Sequence, residues 1–123
     1  IAPVRQYQIV QRSLERVKDI DACVWVTSHH RGVITERAAF LQAVGRFAHK
    51  IDERNDKLLG YLRERPHTLE QLVARRLLYP VGFELPYVES AERRSIALHL
   101  AQLQQAGAVC AEAESDGEIY TLA

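Results

Sequence analysis

The run Ala22-Cys23-Val24-Trp25-Val26-Thr27 limits most severely what this chain can fold into. It is β-branched and aromatic with apolar side chains on both faces, as in a strand covered from both sides within a larger sheet. The backbone N–H and C=O groups of such a strand must find partners. The other strand signals, Val109 to Glu114 and Glu118 to Leu122, flank Ser115-Asp116-Gly117 and predict a self-contained hairpin. The run is therefore expected to lack its sheet, and the chain to be an incomplete piece of a larger fold. Its start at Ile1, without Met, agrees with a cut product.

Most of the remaining pattern is helical. Tyr7, Val10, Leu14 and Val17 predict an amphipathic helix over about residues 5–20. Thr35 can cap a long helix in which Phe40, Val44, Phe47, Ile51, Leu58 and Leu62 form one apolar stripe, with a solvated bend expected across Asp52 to Lys57. Arg65-Pro66-His67 ends it, because Pro disfavours helical geometry in the residue before it. Thr68-Leu69-Glu70-Gln71 has the form of a capping box and opens a short helix through Leu72, Val73 and Leu77. An apolar loop with two prolines covers residues 79–89. Ser90 is expected to cap a last helix with Ile96, Leu100 and Leu103 inside and Gly107 at its end. Three helices and a hairpin in this order give a winged-helix arrangement. The division expected is residues 1–34, a connecting helix 35–65, and a winged-helix-like domain 66–123.

Sixteen basic and sixteen acidic side chains balance, so charge does not point to nucleic acid, an anionic membrane or an acidic substrate. Cys23 and Cys110 each lie in an apolar run and read as buried free thiols of a reducing compartment. No apolar run approaches the ~20 residues of a membrane helix, and a cytoplasmic protein is expected. Of five histidines, His29 and His30 hold the most informative place, after an apolar strand and before Gly32-Val33-Ile34 and a capped helix. His67 reads as linker, His49 as solvated or packed on the second face of its helix, and His99 as a helix-surface or satisfied core residue. Cys-x-x-Cys, His-x-x-x-His and a glycine-rich phosphate loop are all absent, so no complete active site is present.

The helix with Ser13-Leu14-Glu15-Arg16-Val17, the strand Val24 to Thr27, the loop Ser28-His29-His30-Arg31-Gly32-Val33-Ile34 and Glu36-Arg37-Ala38-Ala39-Phe40-Leu41 together resemble the last part of a metallo-β-lactamase superfamily hydrolase. His49-Lys50-Ile51-Asp52-Glu53-Arg54, Leu58-Leu59 and Pro66 to Val73 resemble the winged-helix tail of the glyoxalase II-related branch. The resemblance covers nearly the whole chain. It implies a mainly α chain with a small β-hairpin: a winged-helix-like carboxy-terminal domain, preceded by a long helix and the last helix and strand of a truncated αββα fold.

In that family the strand delivers a metal-binding His, commonly as Pro-Gly-His-Gly-Pro-Val-Ile. Matching Val33-Ile34 without a gap puts His30 on that ligand, and a shift by one puts His29 there; Arg31 stands where the family has Gly. The other ligands would lie upstream, in a missing amino-terminal metallo-β-lactamase domain. The resemblance thus implies zinc in the intact parent and none in this piece alone. There, a metal-activated water would attack an ester, thioester, lactam or phosphodiester in a small-molecule substrate.

Two rival readings follow from the residues. A winged helix can bind DNA, but Arg93 and Arg94 are set against Glu89 and Glu92, and Glu112, Glu114, Asp116 and Glu118 make the wing acidic, so no DNA binding is expected. The chain can instead serve as a structural or dimerisation module. The unpaired edges of residues 22–27 predict a homodimer formed by strand exchange or edge pairing.

Overall fold

The computed structural model describes residues 3–27 and 32–123. Among them the chain is mainly helical with two small antiparallel sheets. The elements are α1 (Pro3–Lys18), β1 (Trp25–Val26), β2 (Val33–Ile34), α2 (Arg37–Glu64), β3 (His67–Thr68), α3 (Leu69–Arg75), α4 (Val88–Gln105), β4 (Val109–Glu114) and β5 (Gly117–Leu122). No helix among the described residues is long and apolar enough to cross a membrane. Two compact units divide the chain, residues 8–52 and residues 1–7 with 53–123, so α1 and α2 each run from one unit into the other.

In the unit of residues 8–52, β1 pairs antiparallel with β2, Trp25 opposite Ile34 and Val26 opposite Val33. This corrects the expectation that the apolar run has no partner in its own chain. Val33-Ile34 is too short to show strand periodicity, and it lies against the start of the long helix. The Trp25 ring stacks on Phe40 at 4.7 Å, and Ile34, Phe40 and Val44 form a small core with Leu14 and Val17 against it. The Arg37 guanidinium donates to the carbonyls of Lys18 and Ile20, placing a cation where carbonyls just past the end of α1 lack helical partners. Four expectations fail here. Val10 and Phe47 are exposed although both belong to apolar stripes, the strand covers only two residues, and Cys23 outside it is exposed.

In the other unit, Leu58 and Leu62 of α2, Leu72 and Val73 of α3, Leu77, and Ile96, Leu100 and Leu103 of α4 form one core closed by Val109 of β4. The sheet runs β3-β5-β4, with His67 opposite Tyr120 and a complete β4–β5 ladder from Val109↔Leu122 to Glu114↔Gly117. Gly117 at φ 130° and Gly107 at φ 79° occupy backbone regions that L side chains rarely adopt, at the two turns where the spacing puts them. The capping box is present. Thr68 Oγ1 accepts from the Gln71 N–H at 3.2 Å, and the Thr68 N–H donates to Gln71 Oε1 at 2.9 Å.

α2 runs as one helix through Asp52 to Lys57, where Asp52, Glu53, Asp56 and Lys57 are solvated as expected. Two details differ from expectation. The last helix starts at Val88, and Ser90 donates back to the Tyr87 carbonyl rather than capping. Cys110 faces outward on the hairpin, beside the buried Val109.

Candidate functional site

His30 and the alternative His29 lie outside the described residues, together with Ser28 and Arg31. The residues flanking them are fixed. Thr27 donates its backbone N–H to the Gly32 carbonyl at 2.6 Å and its Oγ1 hydroxyl to the same oxygen at 3.1 Å. Gly32 takes φ 64°, which glycine adopts without Cβ strain. β1 and β2 thus form a narrow antiparallel ribbon closed by Thr27 and Gly32, and the histidine pair falls between those two residues in sequence.

In the unit of residues 53–123, polar groups converge on the segment between α3 and α4. Glu92, fully buried, accepts the N–H groups of Leu77, Leu78 and Tyr79 at 2.7, 2.8 and 2.8 Å. Arg76 precedes them with φ 71°, unusual for a residue with a side chain. Its Nη2 donates to Glu84 at 2.8 Å, while Nη1 is buried with no partner among the described residues. Tyr61 donates to the carbonyls of Arg75 and Arg76, and the Arg75 guanidinium lies 4.0 Å from the Tyr61 ring centre and pairs with Glu64. That bond holds the Glu64 carboxyl below its ordinary value.

His67 is not linker. It is buried in β3 with Nδ1 2.8 Å from the Arg65 carbonyl, and burial pushes its ring below the usual imidazole value. The segment held in this way carries a ring cluster, Tyr79 stacked on Phe83 at 5.6 Å and edge-on to Tyr87 at 6.0 Å, with Val81 and Leu85 exposed.

A second network joins Tyr7, Asn55 and His99. Asn55 Oδ1 accepts from His99 Nδ1 at 2.7 Å, and Asn55 Nδ2 donates to Tyr7 Oη at 3.1 Å. Burial first, and the charge of Arg54 second, push the His99 pKa down to about 4. His99 is therefore a neutral, satisfied core residue. Among the described residues, no group of three or more His, Cys, Asp or Glu side chains is arranged to hold a metal ion.

The fold is shared with part of a β-lactamase domain protein. The crystal structure of a Beta-lactamase domain protein from Burkholderia ambifaria matches 91% of this chain at a TM-score of 0.61 and 24% identity. This chain spans 32% of that one. No family model and no curated protein matches the sequence.

The polar residues that organise the second unit are partly legible by spacing. Asn55 falls on the stripe of Ile51, Leu58 and Leu62, and Glu92 falls one turn before Ile96 on the buried face of α4, so each is a polar side chain where an apolar one is expected. Nothing in the sequence marks Arg76.

Proposed function

We propose that this chain is the carboxy-terminal part of a metallo-β-lactamase-type, zinc-dependent hydrolase, with residues 66–123 as a winged-helix domain. The observation that carries the reading is the likeness of 91% of the chain to under a third of a β-lactamase domain protein. The ribbon that ties Thr27 to Gly32 supports it, since His29 and His30 follow β1 in sequence and metal ligands gather where strands end in loops. The end of α2, then α3, α4 and the β4–β5 hairpin, with β3 as a third strand, follow the three-helix and hairpin order of a winged helix and support that part of the reading.

In this reading His30, or His29 if the match shifts by one, supplies one zinc ligand. The remaining ligands are assigned, in the same reading, to the upstream metallo-β-lactamase domain that the resemblance implies. Bound zinc would lower the pKa of a water molecule and so supply a nucleophile at neutral pH. The described residues are assigned no step of the hydrolysis. DNA binding is disfavoured by the exposed wing of Glu112, Glu114, Asp116 and Glu118.

The test compares the 123-residue chain with a longer polypeptide that carries the upstream region. Metal content after dialysis and turnover of thioester, lactam and phosphodiester substrates are measured for both. Zinc and activity are expected in the longer polypeptide only, with His30→Ala losing metal more readily than His29→Ala. Stoichiometric zinc retained by the short chain alone would overturn the reading, and the reverse ranking of the two variants would move the ligand to His29.

A further inference from the structure

We infer that the exposed face of α4 is a binding groove for a small organic anion, a carboxylate or phosphate joined to an apolar body. Tyr87, Ser90, Ala91, Arg94, Ser95 and Leu98 line a concavity of about 420 Å³. Their spacing places them on one side of the helix, away from the face of Glu92, Ile96, His99, Leu100 and Leu103 that is buried. The small side chains of Ser90, Ala91 and Ser95 leave a low floor, and Tyr87 and Leu98 stand at its ends, on the order of 16 Å apart along the helix.

The charge of the groove selects the ligand. The other arginines of this unit near α3 and α4 are already engaged: Arg75 by Glu64, Arg76 by Glu84, and Arg93 by both oxygens of Glu70 at 2.8 Å. Arg94 has no hydrogen bond or ion pair among the described residues, and no carboxylate lines the groove. An uncompensated guanidinium presents planar donors suited to a carboxylate or phosphate, and the Ser95 hydroxyl beside it can add another. Ser90 is already committed to the Tyr87 carbonyl and is left as an acceptor.

The rest of the lining, the Tyr87 ring with Ala91 and Leu98, offers apolar contact. An inorganic anion would leave it unused, and a neutral apolar molecule would leave Arg94 unused. One cation with an apolar floor fits a single small anion better than a nucleic-acid backbone, which needs several uncompensated cations.

This inference stands apart from the hydrolase reading, because its readout is binding to the full chain without metal. Phenyl phosphate and benzoate are titrated while backbone amide shifts are followed, with benzyl alcohol and inorganic phosphate as controls. Saturable shifts confined to residues 87–98 are expected for the two aromatic anions. Each control is expected to bind about tenfold more weakly, and Arg94→Gln to weaken phenyl phosphate about tenfold, as loss of one charge-assisted contact does. Arg93→Gln, which breaks only the Glu70 pair, should leave binding within about twofold. Absence of saturable shifts in these residues, equal binding by benzyl alcohol, or phenyl phosphate binding untouched by Arg94→Gln overturns the assignment. Tighter binding of duplex DNA at the same amides overturns it as well.

Discussion

His99 Nδ1 lies 2.7 Å from Asn55 Oδ1 and reaches it across the interior between α4 and α2. Because Asn55 gives its amide N–H to Tyr7, its oxygen is the atom left for His99, so the imidazole carries its hydrogen on Nδ1. The ring is neutral in the folded chain, where its pKa is pushed from 6.5 to about 4. Its stabilising contribution is therefore complete above pH 6.5, where the unfolded chain is neutral as well. It is lost as the pH falls from 6.5 towards 4, where only the unfolded chain takes the proton. Urea midpoints across this window should fall with pH. In His99→Gln the fall should be shallower, and an unchanged slope would show that other groups set it.

Glu92 is the next group whose removal should be felt. Replacing it by Ala leaves the Leu77 N–H without its acceptor in a buried site and those of Leu78 and Tyr79 without theirs in a part-buried one. Each such group costs on the order of 1 kcal/mol or more, so Glu92→Ala should lose about 3 kcal/mol in chemical denaturation. Glu92→Gln keeps one acceptor oxygen and should lose less. Equal losses for the two variants would show that the carboxylate does not act through these bonds.

What the sequence reveals depends on how local the cause is. Thr68 and Gln71 form their capping box from four consecutive residues, and the stripe of Phe40, Val44, Ile51, Leu58 and Leu62 is one helix's own period, so both are readable. The pairing of Trp25 with Ile34 depends on two residues meeting two others across a gap, with no alternation long enough to announce it. Phe47 has the right period but nothing to cover it, since neighbours decide burial and period does not. The histidine pair was marked by its position after a strand, and the described geometry reaches only its flanks, Thr27 and Gly32.

Thiol accessibility checks a correction directly. Cys23 lies outside the two-residue strand, and Cys110 alternates with the buried Val109 on a hairpin whose other face is solvated. Both should react with an aromatic disulfide reagent in native buffer about as fast as in urea. Reaction of either one only after unfolding would restore the buried-thiol reading for that residue.

The ribbon makes the last prediction. Its register pairs residue 27 with 32 and 25 with 34, so the N–H groups of Trp25 and Thr27 face β2 while those of Val24 and Val26 face the free edge of β1. Val26 is 78% exposed, and the indole Nε1 of Trp25 is buried without an acceptor among the described residues. The outward backbone N–H groups of Val24 and Val26, unpaired in the two-stranded sheet of the described residues, are what can receive another strand. In the 123-residue chain, amide exchange should be slower at Trp25 and Thr27 than at Val24 and Val26. In a longer polypeptide whose upstream region supplies the neighbouring strand, Val24 and Val26 should slow to match, and the alternation should vanish. If they are already protected in the short chain, light scattering separates the causes. A dimer means that a second copy has taken the edge, and a monomer means that β1 meets a partner within this chain beyond β2.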